Sequence, residues 1–120
     1  MYDLSIIDDF SSAHFLRGYR GECQNLHGHT WKVEVTILSD KLNDIGLVFD
    51  FREIRKKLRE FLSKMDHLCL NDLPAFSQAN PSTENLAKYI YQEFAKECQL
   101  FKIKQVRVWE SDSASVTYYE

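Results

Sequence analysis

An unbroken alternation of apolar and polar residues constrains the fold of this chain more than any other sequence feature. From position 31 to 37, apolar Trp31, Val33, Val35 and Ile37 alternate with polar Lys32, Glu34 and Thr36. Successive side chains of a strand point to opposite faces, so this segment predicts a β-strand with one buried face. Near the N-terminus, Leu4, Ile6 and Phe10 alternate less regularly with polar residues, and Ile7 and Asp8 interrupt that second predicted strand.

Two later segments have the three- and four-residue spacing of amphipathic helices. The apolar stripe of the first consists of Phe51, Ile54, Leu58, Phe61, Leu62 and Met65. Asp50 is its predicted cap, and Glu53 three residues on is consistent with a capping box. The second helix is expected after Pro81, with Ser82 or Thr83 as cap, and its stripe consists of Leu86, Ile90 and Phe94.

Two more strands are predicted to close the chain. Val106 and Val108 lie on one face of the first, and the second covers 116–119 after a Ser-Asp-Ser turn. The order β-β-α-α-β-β predicts an α+β fold, with both helices on one face of an antiparallel sheet. No repeat and no Pro/Gly-rich linker divides the 120 residues, so we expect one domain spanning 1–120.

Composition excludes several classes of function. The net charge of −3 argues against a nucleic-acid-binding protein. No apolar run approaches the roughly 20 residues that span a bilayer, and the first residues lack the pattern of a signal peptide. The odd set of Cys23, Cys69 and Cys98 has no short paired spacing, which is typical of a reducing compartment. The sequence therefore predicts a cytoplasmic protein without a membrane partner.

Three histidines form the strongest candidate site. His27 and His29 flank Gly28 just before the clearest strand, so their imidazoles project to the same side. His14 ends the first predicted strand, and pairing of the two strands can bring all three rings together. Three neutral nitrogens suit zinc and leave a fourth position for water or substrate, as in catalytic zinc sites. Strand-end histidines with ordinary hydrogen bonds are the alternative, which the His-x-His spacing makes less favourable.

Three other positions are candidates for proton chemistry or binding. Cys23, in a loop before the histidine pair, is a candidate base or nucleophile, or else a fourth zinc ligand or an inert thiol. Asp66 can orient the adjacent His67 as a general acid or base, although neighbours in extended chain diverge and a helix-end role is the alternative. Glu110 shares the apolar face of its strand, where a carboxylate needs a partner such as two parallel N–H groups, unless it simply reaches water.

The motifs together resemble those of the 6-pyruvoyl-tetrahydropterin synthase superfamily. They are the segments 10–14, 66–67, 81–85 and 109–111, and Cys23 placed four residues ahead of His27-Gly28-His29. Within the superfamily the chain looks most like the bacterial 6-carboxy-tetrahydropterin synthases of queuosine biosynthesis. The resemblance implies a T-fold (tunnelling fold) subunit that assembles into an oligomeric barrel, as a trimer or as a hexamer of two trimers. It places active sites at subunit interfaces.

The resemblance also implies roles for individual residues. The three histidines match the family's zinc ligands, and Cys23 matches its catalytic thiol. Asp66 and His67 match the rest of its proton relay. Glu110 matches the acid that anchors the pterin ring, and Thr83 lies in a region near the pterin in relatives.

The substrate implied by the resemblance is 7,8-dihydroneopterin triphosphate. In the queuosine branch, carbon–carbon cleavage releases acetaldehyde and triphosphate and leaves a 6-carboxy-tetrahydropterin. In the biopterin branch the side chain is retained as 6-pyruvoyl, and this synthase is the main alternative. The Cys-x₃-His-Gly-His spacing looks like the queuosine type, and Gln24 stands where a folate-related subgroup has glutamate. A catalytically silent pterin-binding T-fold and a non-pterin metal hydrolase are alternatives from other classes.

Overall fold

The computed structural model describes all residues from 1 to 120 and contains the six predicted elements. They are β1 (Tyr2–His14), β2 (His27–Ser39), α1 (Phe51–Ser63), α2 (Thr83–Glu97), β3 (Lys102–Ser111) and β4 (Ala114–Tyr118). The four strands form one antiparallel sheet in the order β1-β2-β3-β4. The predicted α+β architecture and element order are therefore confirmed.

The inner face of β2 is the centre of the hydrophobic core. Its four alternating apolar residues are fully buried, and both helices pack against the same face of the sheet in a single apolar cluster. The strand is longer than its alternation predicted, because it begins at His27 and so includes the histidine pair. Helix α1 is shorter than predicted: it ends at Ser63, and Met65 is buried in the turn that follows.

The break in the first predicted strand is a partly exposed ion pair rather than an irregularity. Strand β1 keeps its alternation throughout, which places Asp8 on the inner face and Ile7 on the exposed outer face. Arg59 of α1 reaches the Asp8 carboxylate at 3.2 Å and donates to the carbonyl of Asp9 at 2.7 Å. A charged residue is tolerated at this inward position because a helix supplies its partner.

Each helix begins with a side-chain cap. The Asp50 carboxylate accepts from the N–H of Arg52 and also from the Arg52 side chain, in place of the reciprocal bond of a capping box. Of the two candidate caps of α2, Ser82 accepts from the N–H of Asn85 at 3.2 Å. Thr83 is thereby free for a different contact. No helix of the structure has the length and apolarity needed to cross a bilayer.

Candidate active site

Strand pairing brings the three histidines together at one end of the sheet. His14, the last residue of β1, lies opposite His27, the first residue of β2, and Ser12 lies opposite His29. All three imidazoles lie on the inner face, with ring centroids 4.5 to 5.1 Å apart. One ring nitrogen from each residue lies within 4.8 Å of the others. The three side chains therefore converge as their spacing along the two strands predicts.

The hydrogen bonds of these rings show that the cluster fits a cation. His14 donates from Nδ1 to the carbonyl of Pro81 and His27 donates from Nδ1 to that of Asn25, both at 2.7 Å. In the neutral rings the two Nε2 atoms then carry lone pairs, yet they face each other at 3.0 Å. His29 Nε2 is buried without any hydrogen-bond partner. Lone pairs that converge without donors are the arrangement that zinc ligation requires.

Burial favours the neutral, metal-binding form of two of these histidines, His14 and His29. Removal from water lowers the pKa of His14, and the neighbouring histidines lower it further. Burial likewise lowers the pKa of His29, against an opposing effect of Glu110. Beneath the rings, the fully buried indole of Trp31 lies 5.0 Å from His14 and 5.1 Å from His29, measured between ring centroids. The site thus has an apolar floor.

Glu110 and Thr83 form a polar pair next to the histidines. Glu110 Oε1 lies 3.4 Å from His29 Nε2, and the Thr83 hydroxyl donates to Glu110 Oε2 at 2.8 Å. Both residues line a cleft of about 300 Å³, together with His14 and the start of β4. Glu110 is not part of the group of mutually close ligand atoms. The carboxylate therefore lies beside the candidate metal position and faces the cleft.

Asp66 and His67 do contact each other, which neighbours in extended chain would not do. His67 has a φ of 58°, in the left-handed region that few non-glycine residues adopt. This turn brings His67 Nδ1 to 2.9 Å from Asp66 Oδ1. The same carboxylate oxygen accepts from the N–H of Ser11 at 2.8 Å, and this bond lowers the pKa of Asp66.

No hydrogen bond joins the Asp66–His67 pair to the three-histidine cluster. The His67 side chain is 83% exposed and lines a second cleft, of about 540 Å³, whose lining also includes His29. The alternation of β1 and β2 directs the side chains of Ser11 and Thr30, which also line it, to the outer face of the sheet. Ser12 and His29 of the inner face line the same cleft, so the candidate proton relay lies at the same end of the β1–β2 pair as the histidine cluster, and no hydrogen bond joins the two.

Cys23 lies in a short 3-10 turn, Glu22–Gln24, between β1 and β2. It is half-buried, its thiol forms no hydrogen bond, and it is not part of the histidine cluster. Within one chain no hydrogen bond connects it to Asp66 or His67. Cys98 is buried, whereas Cys69 forms a parallel bridge with Ala13 and so extends the edge of the sheet.

The asparagines that bind the backbone around His14 were not predicted from the sequence. Asn71 and Asn80 bind the backbone that follows this histidine, and Asn85 binds the carbonyl of Asn80. An Asn-Pro pair just before a helix cap indicates a turn, but it does not show which backbone the amide will reach.

Known proteins share both the sequence pattern and the fold of this chain. The sequence profile described as 6-pyruvoyl tetrahydropterin synthase matches residues 3–120. The chain belongs to the 6-pyruvoyl tetrahydropterin synthase family. Its fold agrees with that of a 6-pyruvoyl tetrahydropterin synthase from Caenorhabditis elegans, with a TM-score of 0.88 at 23% identity over 99% of this chain and 95% of the other. The fold is accordingly the T-fold.

Relatives in this family carry two different names. The 6-carboxy-5,6,7,8-tetrahydropterin synthase of Haemophilus influenzae is 28% identical over 142 residues, covering 100% of both chains. The 6-pyruvoyl tetrahydrobiopterin synthase of Homo sapiens is 32% identical over 102 residues, covering 82% of this chain and 70% of the human one. The similarity thus shows a pterin synthase, and the names of its relatives state two different products.

Proposed function

We propose that this family member is a zinc-dependent 6-carboxytetrahydropterin synthase. It converts 7,8-dihydroneopterin triphosphate and water into 6-carboxy-5,6,7,8-tetrahydropterin, acetaldehyde and triphosphate, an early step of queuosine biosynthesis. The observation that carries the proposal is the convergence of three histidine ring nitrogens, none of which receives a hydrogen bond from a donor group, beside a carboxylate-lined cleft. When bound there, zinc supplies a Lewis acid that polarises the side-chain hydroxyls of the substrate and lowers their pKa.

Glu110 is proposed to hold the pterin ring. A carboxylate can accept two parallel N–H bonds, and the aminopyrimidinone edge of a pterin offers that pair of donors. Thr83 already donates to one oxygen of this carboxylate, at 2.8 Å, and so limits its rotation. The ring would therefore enter the cleft in one orientation, with its side chain toward the histidines.

Cys23 is proposed to accept a proton from the substrate side chain, and Asp66 with His67 to relay protons. Asp66 Oδ1 holds His67 Nδ1 at 2.9 Å, which leaves Nε2 of the exposed imidazole for exchange. Because no hydrogen bond joins Cys23 to Asp66 or His67 within one chain, we propose that each site takes its relay from another subunit. A trimer or a hexamer would accomplish this and would also cover the free edge of β1.

The site requires a reduced thiol, which is consistent with three free cysteines. We accordingly place the protein in the reducing cytoplasm, with residues 1–120 acting as one catalytic domain. The carboxy product is favoured over the pyruvoyl product by the short Cys-x₃-His-Gly-His loop, which resembles that of the queuosine branch.

The proposal is tested by incubating the purified, zinc-loaded protein with 7,8-dihydroneopterin triphosphate and identifying products by mass. We expect 6-carboxy-tetrahydropterin and trapped acetaldehyde in equal amounts. A product that retains all three side-chain carbons, without aldehyde, would assign the chain to the pyruvoyl branch. Binding without conversion would make it a silent pterin-binding module. The Cys23→Ala variant serves as the control for a contaminating activity.

A further inference from the structure

The backbone that follows His14 is held by two asparagine side chains. Phe15 donates its N–H to Asn71 Oδ1 and accepts from Asn71 Nδ2, both at 3.0 Å. Arg17 likewise donates to Asn80 Oδ1 at 2.8 Å and accepts from Asn80 Nδ2 at 2.9 Å. Each amide therefore satisfies both backbone groups of one residue, as a neighbouring strand would do.

This clamped segment connects to both the thiol turn and the histidine cluster. Between the two clamped residues, Leu16 donates its N–H to the carbonyl of Cys23 at 2.8 Å. On the other side, Asn80 precedes Pro81, whose carbonyl accepts from His14 Nδ1 at 2.7 Å. The segment is thus hydrogen-bonded to Cys23, the candidate base. The asparagine that holds it, Asn80, adjoins Pro81, whose carbonyl orients His14.

The clamp is anchored to helix α2. The carbonyl of Asn80 accepts from Nδ2 of Asn85, in the first turn of the helix, at 2.8 Å. That turn also contains Thr83, which binds Glu110. The helix start, the clamp, the histidine and the cysteine turn form one connected set of hydrogen bonds.

We propose that Asn80, supported by Asn71, is a positioning residue that sets the cysteine turn and His14 relative to each other. The roles of Cys23 and His14 rest on the proposed function. Asparagine is suited to this task because its planar amide has one acceptor and one donor, which match the N–H and C=O of a single residue. Aspartate at this position would keep the acceptor but turn a carboxylate oxygen toward the carbonyl of Arg17.

The test uses Asn80→Ala in the zinc-loaded protein, with two measurements that need no substrate. Competition with a chelator measures zinc affinity, which we expect to fall about tenfold, the lower end for loss of support behind a metal ligand. Alkylation by iodoacetamide, quantified on the peptide containing Cys23, should accelerate several-fold as the turn loosens. A general loss of stability would accelerate alkylation of Cys69 and Cys98 as well, so a selective acceleration at Cys23 reports on its turn.

Asn43→Ala is the matched control. Its Oδ1 accepts from the N–H groups of Ile45 and Leu47, at 3.1 and 2.9 Å, in an exposed loop at the opposite end of the β1–β2 pair. This variant also loses two bonds from an asparagine to the backbone. Its zinc affinity and Cys23 alkylation should equal those of the wild type.

Asn80→Asp provides a second variant if the alanine variant does not fold. It retains the bond from the N–H of Arg17, so we expect changes in the same direction and smaller than those of alanine. Wild-type zinc affinity and wild-type Cys23 alkylation in the folded Asn80 variants would overturn the proposal. Absence of turnover by the wild-type protein would refute the proposed function instead, and would leave these two measurements valid.

Discussion

Replacement of Thr83 by valine isolates one hydrogen bond of the candidate pterin site. Valine keeps the branched shape of threonine and removes the hydroxyl that donates to Glu110 Oε2 at 2.8 Å. The cap of helix α2 is unaffected, because Ser82 and not Thr83 accepts from the first-turn N–H groups. The substitution therefore changes the orientation of the Glu110 carboxylate with little change elsewhere.

The expected magnitude follows from the exposure of the two partners. A hydrogen bond to a charged group contributes about 1.5–3 kcal/mol. Thr83 is buried, but the Glu110 side chain is 36% exposed, so water replaces part of the lost interaction. We expect a loss of about 1 kcal/mol, which corresponds to an approximately fivefold weaker affinity for the pterin.

The assay is an equilibrium titration with 6-carboxy-tetrahydropterin, the proposed product. Thr83→Val should bind it about fivefold more weakly, whereas Thr83→Ser, which keeps the hydroxyl, should stay within about twofold of the wild type. Thr117→Val, on the outer face of β4, is the control for a threonine-to-valine change and should have no effect. Equal binding by Thr83→Val and wild type, or equally weak binding by the serine variant, would refute this role of the hydroxyl.

Three further predictions concern the metal, the thiol and the carboxylate. His27→Ala and His29→Ala should each lose bound zinc in metal analysis, and a full equivalent of zinc in both would show that the ligands lie elsewhere. Cys23→Ala should retain zinc and assembly but lose turnover, whereas loss of zinc from a folded variant would make Cys23 a ligand. The N–H of Ser11 lowers the pKa of Asp66, so this carboxylate adds stability above its ordinary pKa of about 3.9 and loses it as the pH falls through the lowered value. Urea unfolding should accordingly show Asp66→Asn less stable than wild type at neutral pH, with the difference shrinking near pH 3, and a difference independent of pH would contradict the assignment.

Local patterns in the sequence predicted the fold because burial follows periodicity in this chain. The buried face of β2 and the stripes of both helices depend only on spacing along the chain. Asp8 was misinterpreted as a break because its compensation comes from Arg59, about 50 residues away, and spacing contains no information on such partners. Strand β1 nevertheless continues through Asp8, because the ion pair with Arg59 is sufficient to retain this carboxylate on the inner face.

The candidate site was predictable to the extent that it depends on strand pairing. His14 meets His27 because antiparallel pairing places the last residue of β1 opposite the first residue of β2. The contact between Asp66 and His67 depends on a left-handed backbone angle at a non-glycine residue, which composition does not indicate. The backbone bonds of Asn80 are also absent from any local pattern, because they join segments 63 residues apart.

The indole of Trp31 beneath the histidine cluster is an intrinsic fluorescent probe of the candidate metal site. Trp31 lies within contact distance of two of the three imidazoles, so its fluorescence responds to charge and to occupancy in the cluster. The other tryptophan, Trp109, lies on the opposite face with the Lys32 ammonium 4.2 Å from its ring centre, and Trp109→Phe would remove its signal. Loading with cobalt, an open-shell ion that quenches the emission of an adjacent indole, could then be followed in real time without an added dye or a coupled reaction.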